Sequence, residues 1–148
     1  MLIGEGEERR SLEMLANNLK IKERTLFMGW KENARAHLEH FDVFVLPSNN
    51  EAFPLTIVEA MLAKVPVIAT DVGSVNEAIV DRFSGILISN NEPDTISRAI
   101  EDLMTNEGLR KQVVKNGFTK ASTEFTESTM ISKYETMWHK VRGKVLLH

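Results

Sequence analysis

One stretch constrains this chain more than any other: Pro47 to Glu77, PSNNEAFPLTIVEAMLAKVPVIATDVGSVNE. Leu55, Val58, Met61 and Leu62 recur at helical spacing, so a helix opens near Leu55 with one apolar face. Pro54 fits its first turn, where a missing N–H costs nothing because that donor has no intrahelical partner. The run from Val65 to Ala69 then reads as a buried strand. Glu51 and Glu59 bracket the helix start with seven residues between them, the first before the helix and the second one to two turns in. Helix N-termini carry free N–H groups and the positive end of the helix dipole, which suit a phosphate. Carboxylates for sugar hydroxyls, with amides for a diphosphate between them, describe a site for a nucleotide sugar.

The rest of the chain supplies a sheet around that stretch. Leu2-Ile3 reads as a strand stub ending at Gly4-Glu5-Gly6, followed by a helix whose buried face carries Leu12, Leu15, Ala16 and Leu19. A short strand from Thr25 to Met28 ends at Gly29-Trp30. A polar helix runs from about Glu32 to His40, and Val43 to Leu46 forms the next strand. After the central stretch come a short helix near Val75 to Val80 and a strand from Gly85 to Ile88. Strands and helices alternating at this spacing predict an α/β fold, a Rossmann-like parallel sheet with helices on both faces. Ligands in such sheets bind beyond the carboxyl ends of the strands, so the ends at Gly4, Gly29, Pro47, Thr70 and Leu87 are expected along one edge. Three helices close the chain, over Asp94–Met104, Glu107–Phe118 and Thr126–Val141, with a break expected at Gly117. Met130, Tyr134, Met137, Trp138 and Val141 share one face of the last.

Composition excludes several classes. At 148 residues with 43% apolar and 26% charged residues, the chain suits one globular domain with one sizeable core. A net charge of −3 lacks the basic footprint of a nucleic-acid binder. Without cysteine there is neither a disulfide framework nor a cysteine-held metal. No apolar run reaches membrane-spanning length, and MLIGEGEERR has no signal-peptide pattern, so a cytoplasmic location is the default expectation. His37 and His40 stand three apart on a helix but have no third ligand, and no metal is expected. Gly4-x-Gly6 invites a dinucleotide reading, yet Arg9 stands where the third glycine belongs. A tight strand-to-helix turn explains those glycines better than a nicotinamide site.

Pro47, Ser48, Glu51, Phe53, Pro54, Leu55, Glu59, Ala60, Pro66, Thr70, Gly73 and Glu77, taken in that order, carry a specific resemblance. The chain resembles the donor-binding, C-terminal domain of retaining glycosyltransferases of family 4 (group 1), which have the two-domain GT-B fold. The signature is a P-S-x-x-E-G-F-P-L segment leading into a helix that holds the second glutamate, then a strand like PVIAT and a D-x-G-x-x-x-E loop. The resemblance runs from Leu2 to about Trp138. It implies transfer of a hexose from a UDP- or GDP-type donor to a hydroxyl acceptor, with no cofactor or bound metal. Glu51 then reaches hydroxyls of the donor hexose and Glu59 the ribose hydroxyls. The backbone at Ala52, Phe53, Pro54, Leu55 and Thr56 meets the sugar and diphosphate. Gly4, Gly6, Met28, Gly29 and Trp30 face the nucleotide, Trp30 either stacking on the base or covering the core edge. Ala52 and Lys64 stand where the family commonly has glycine.

The resemblance also implies missing parts. Family members hold the diphosphate with an Arg and a Lys upstream of the segment matching LIGEGEE, and neither Arg9 nor Lys20 corresponds to them. Residues 1–148 are thus expected to form a single, incomplete domain that lacks the first strand and the N-terminal acceptor-binding domain. The cytoplasmic expectation extends to the cytoplasmic face of a membrane for the full-length protein. Alone, the chain is expected to bind donor weakly and transfer nothing. The terminal helix, which in the family crosses toward the partner domain, gives a reason to expect self-association. A donor-binding subunit of a split transferase, a nucleotide-sugar epimerase of related architecture and a scaffold domain are the alternatives.

Overall fold

The computed structural model describes residues 1–145 and divides into two compact units, Met1–His37 and Leu38–His148. The larger unit holds the sheet. Strands β1 (Phe44–Leu46), β2 (Val67–Thr70) and β3 (Ile86–Ile88) are all parallel, in the order β1-β2-β3. Leu46 lies opposite Ala69, and Thr70 opposite Ile88. Every residue of β2 is buried. This is the signature of a central parallel strand covered on both faces.

Alternation along β2 divides the core into two layers. Val67 and Ala69 join helix α2 (Leu55–Leu62) and short helix α3 (Val75–Ala78) through Ile57, Val58, Met61, Val75 and Ala78. Ile68 faces the other way and joins Ile86 and Ile88 with Leu103 of α4 (Pro93–Thr105) and Val113 of α5 (Glu107–Glu124). Each such side chain taken fully out of water contributes about 1.5–3 kcal/mol, so β2 and α2 carry a large share of the stability. α5 reaches both layers, placing Val113 in one and Ala121 in the other. The α/β fold with helices on both faces and further helices at the C-terminus matches the expectation.

Local chemistry explains the helix ends. α4 starts with Pro93 at its first position, where the ring costs no hydrogen bond. The Asn106 Oδ1 accepts from the Leu109 N–H at 2.9 Å and caps α5. α2 ends in a Schellman motif: the Lys64 N–H donates to the Met61 carbonyl and the Val65 N–H to the Ala60 carbonyl, both at 3.0 Å. Lys64 takes a φ of 60° there, a conformation that favours glycine. Its ammonium lies 5.0 Å from the centre of the Phe118 ring, a contact that offsets part of the strain. The replacement of a common glycine by Lys64 is thus structural in its consequences.

Several expectations need correction. Gly117 does not break a helix; it lies buried in the middle of α5, which continues to Glu124. A Cβ on Gly117 would meet the Ser84 carbonyl oxygen at 2.8 Å and Met61 Cγ at 3.2 Å, so glycine is there for close packing. The segment Ala34–His40 is a 3₁₀ helix with only Leu38 buried. One apolar anchor leaves the tighter turn unchallenged.

The smaller unit has no strand of regular length. Leu2 and Phe27 form a single parallel bridge, extended by a bond from the Gly4 N–H to the Gly29 carbonyl at 2.9 Å. Helix α1 (Arg9–Asn18) forms as its periodicity predicts. Of its expected buried face only Ala16 is buried, while Leu12, Leu15 and Leu19 are exposed. Periodicity sets which side chains share a face; burying that face takes a surface that this unit's single bridge does not supply.

Helix α6 (Glu127–Val145) also presents apolar side chains to solvent. Met130, Tyr134, Met137, Trp138 and Val141 are all exposed, and a shallow groove lined by Ile131, Tyr134, Trp138 and Arg142 runs along it. No helix among the described residues is long and apolar enough to cross a membrane.

Candidate functional site

The carboxyl ends of β1, β2 and β3 share one edge because the strands are parallel, and the loops leaving that edge build the site. The loop after β1 carries Ser48 to Phe53. The Ser48 Oγ donates to Glu51 Oε1 at 2.7 Å. This orients a partly buried carboxylate and leaves Oε2 with no partner among the described residues. A carboxylate held this way can accept from two hydroxyls of a ligand.

The loop after β2 fixes the same segment from its other side. Gly73 has a φ of 54°, and a Cβ there would fall 1.7 Å from the Glu51 carbonyl oxygen. The Ser74 N–H donates to the Ala52 carbonyl at 3.3 Å. Gly73 is therefore required twice, by its conformation and by the approach of the Glu51 backbone. The threonine ending β2 ties the strands together, its Oγ1 donating to the Leu46 carbonyl at 3.3 Å.

The loop after β3 reaches back as well. The Asn91 Nδ2 donates to Asn49 Oδ1 at 2.9 Å and to the Pro47 carbonyl at 3.4 Å. Ser48 and Gly73 lie in the sequence signature, but their job of holding Glu51 shows only in three dimensions. Asn91 was missed; its signal is the repeat of Ser-Asn-Asn-Glu at Ser48–Glu51 and Ser89–Glu92.

Ala52 is not among the residues with positive φ, so replacing glycine costs no left-handed strain. Its methyl group is exposed, which makes it a steric feature of the loop surface. The Phe53 side chain turns inward and sets its ring centre 5.3 Å from that of Phe125, and Pro54 behind it is buried. Those anchors fix the start of α2. Leu55 is 68% exposed and Thr56 is exposed too. Their N–H groups, first in the helix, have no acceptor among the described residues, as expected of a helix start. Glu59 lies on the second turn and is partly buried. Glu51, the free amides of Leu55 and Thr56, and Glu59 thus lie along one segment, as the sequence predicts.

In the smaller unit, Gly4 and Gly29 both have positive φ and meet through their backbones. Trp30 is 73% exposed, so it does not cover a core edge within this unit. The Arg9 guanidinium is engaged by Glu5 at 2.8 Å and Glu13 at 2.9 Å. Its hydrogen bonds to Glu13 and then to Glu5 raise its pKa above the ordinary arginine value. It is therefore committed within its own unit.

Comparison with known proteins places this geometry. The profile of the family described as glycosyl transferases group 1 matches residues 1–120. N-acetyl-alpha-D-glucosaminyl L-malate synthase of Bacillus anthracis is 30% identical over 141 residues, covering 95% of this chain and 37% of that protein. Among solved structures, HepE of Anabaena in complex with UDP superposes with a TM-score of 0.86 at 22% identity, over 94% of this chain and 40% of that one. The C-terminal domain of the group 1 glycosyl transferase LpcC from Francisella tularensis superposes with a TM-score of 0.72 at 26% identity, over 80% of this chain and 63% of that one. The chain thus spans about two fifths of the length of such full-length relatives. With the group 1 model matched over residues 1–120, the chain belongs to the group 1 glycosyl transferases and has the architecture of a GT-B domain.

Proposed function

We propose that this chain is the donor-binding part of a retaining hexosyltransferase of family 4. The observation that carries the reading is the Glu51 carboxylate, oriented by Ser48 and backed by Gly73, just ahead of a helix start with free amides. In this reading Glu51 accepts from hydroxyls of the donor hexose. The Leu55 and Thr56 amides meet the diphosphate, and Glu59 accepts from the ribose hydroxyls. The backbone at Ala52, Phe53 and Pro54 meets the sugar.

The reaction would break the bond between the hexose C1 and the diphosphate oxygen and form one from the acceptor oxygen on the same face. The acceptor proton passes to the departing phosphate. Catalysis then rests on positioning and on stabilising charge at the leaving group, not on a protein nucleophile. The donor is a UDP- or GDP-type sugar, and no metal or cofactor takes part. The acceptor-binding half and an Arg/Lys pair for the diphosphate would come from sequence outside these residues, so this chain alone transfers nothing. A cytoplasmic site of action fits such donors.

Calorimetric titration with UDP, GDP, ADP and their hexose conjugates tests the reading. One nucleotide should bind, and Glu59→Ala should weaken it about 10- to 100-fold, the loss expected for hydrogen bonds to a charged acceptor. Equal affinity of wild type and Glu59→Ala for every nucleotide would favour a scaffold domain. The exposed α6 stripe is the face we assign to the acceptor-binding half, and in its absence the isolated chain should self-associate through it. Sedimentation at rising concentration should show dimers for the wild type and monomer for Trp138→Glu/Met137→Glu; a wild type monomeric throughout would contradict that assignment.

A further inference from the structure

We infer that Asn91 is a positioning residue for the sugar-binding carboxylate, acting across the sheet edge through Asn49. The inference rests on the donor-site reading of Glu51. Asn91 lies three residues beyond β3, directly before the residue that precedes Pro93 at the start of α4. Its side-chain amide donates to Asn49 Oδ1 at 2.9 Å and to the Pro47 carbonyl at 3.4 Å. β2 lies between β1 and β3, so this contact bridges the two outer strands.

Three ties then converge on one short loop. Ser48 holds the Glu51 carboxylate, Gly73 and Ser74 back the Glu51-Ala52 main chain, and Asn91 secures the entry at Pro47 and Asn49. Of these, the Asn91 tie alone comes from the loop after β3. It leaves the core untouched, because Pro47 and Asn49 are exposed and Asn91 is only partly buried. Its loss should therefore loosen the aim of Glu51 without loosening the fold. The start of α2, anchored separately by Phe53 and Pro54, should keep its place.

The two copies of Ser-Asn-Asn-Glu do different work. In the first, Ser48 reaches forward to Glu51. In the second, the Asn90 Oδ1 accepts from the Glu92 N–H at 3.2 Å, a local turn that steadies Asn91 next to it. The loop after β3 thus becomes part of the specificity machinery for the sugar. It contributes nothing to nucleotide recognition.

The test compares two affinities in each of four proteins: wild type, Asn91→Ala, Asn49→Ala and the double variant. The probes are UDP with UDP-glucose, and GDP with GDP-glucose as a second pair, each titrated calorimetrically alongside thermal unfolding. Asn91→Ala should lose about three- to tenfold in affinity for the sugar conjugate, the value of one or two net hydrogen bonds. Affinity for the nucleoside diphosphate and the unfolding temperature should stay as in wild type. In the Asn49→Ala background the same substitution should have a smaller effect, because the shared contact is already gone. No change in sugar affinity, or a parallel loss of both affinities with a lower unfolding temperature, would overturn the role. Wild-type protein that binds neither nucleotide nor conjugate would instead remove the donor-site reading, and the role of Asn91 with it.

Discussion

Gly73→Ala should destabilise the protein by about 2–4 kcal/mol and remove sugar binding. Two costs add. An L-residue held at positive φ loses about 1 kcal/mol, and Gly73 sits at 54°. The new methyl carbon would also fall 1.7 Å from the Glu51 carbonyl oxygen, which only a shift of main chain can relieve, and such overpacking typically costs about 1–3 kcal/mol. Gly73→Asn separates the two. Asparagine tolerates this φ but meets the same carbonyl, so it should remain well below wild type. Thermal unfolding measures the loss, and a wild-type unfolding temperature for both variants would refute the close approach of the two loops. The functional consequence follows from the same atoms, because the loop that must move carries Glu51.

Gly117→Ala should also destabilise, although alanine is the better helix former by about 1 kcal/mol. The propensity gain is real, since Gly117 is in the interior of α5. Against it stands a Cβ 2.8 Å from the Ser84 carbonyl oxygen and 3.2 Å from Met61 Cγ. Met61 can shift its flexible chain, but Ser84 is buried and its Oγ is tied to the Val80 N–H at 2.9 Å. The turn before β3 therefore cannot yield cheaply. A net loss of about 1–2 kcal/mol is expected, and Gly117→Val should cost more. An alanine variant more stable than wild type in denaturant unfolding would show that α5 and the turn at Ser84 lie farther apart.

These two glycines also mark where reading the sequence succeeds and where it stops. Gly73 belongs to a short signature, so its importance is visible at once, but the carbonyl it must clear is 22 residues upstream and appears only after folding. Gly117 looks like a helix breaker because glycine has poor intrinsic propensity; the neighbour that demands it, Ser84, leaves no local mark. The central stretch from Phe44 to Ile88 was legible because β2 and α2 combine long apolar runs with clear boundaries at Pro54, Lys64 and Pro66. The first 37 residues were less so. Leu12, Leu15 and Leu19 follow helical periodicity faithfully and are still exposed, since a pattern of side chains carries no information about whether a partner surface is present. Within the candidate site, the ordered signature, not spacing alone, singles out Glu51 and Glu59 as candidates. Asn91 lies outside that signature and is not singled out, because an asparagine after a strand is common and its partner Asn49 lies 42 residues away.

The central claim is that Glu51 recognises the hexose and Glu59 the nucleotide. Titration of Glu51→Ala with a nucleoside diphosphate and with its hexose conjugate tests it most directly. Removing a charged acceptor from the sugar should cost the conjugate about 1.5–3 kcal/mol, a drop of roughly 10- to 150-fold, and leave the affinity of the nucleoside diphosphate unchanged. The same affinity for the conjugate in wild type and Glu51→Ala, with nucleotide binding intact, would contradict the assignment and move the sugar to another part of the sheet edge.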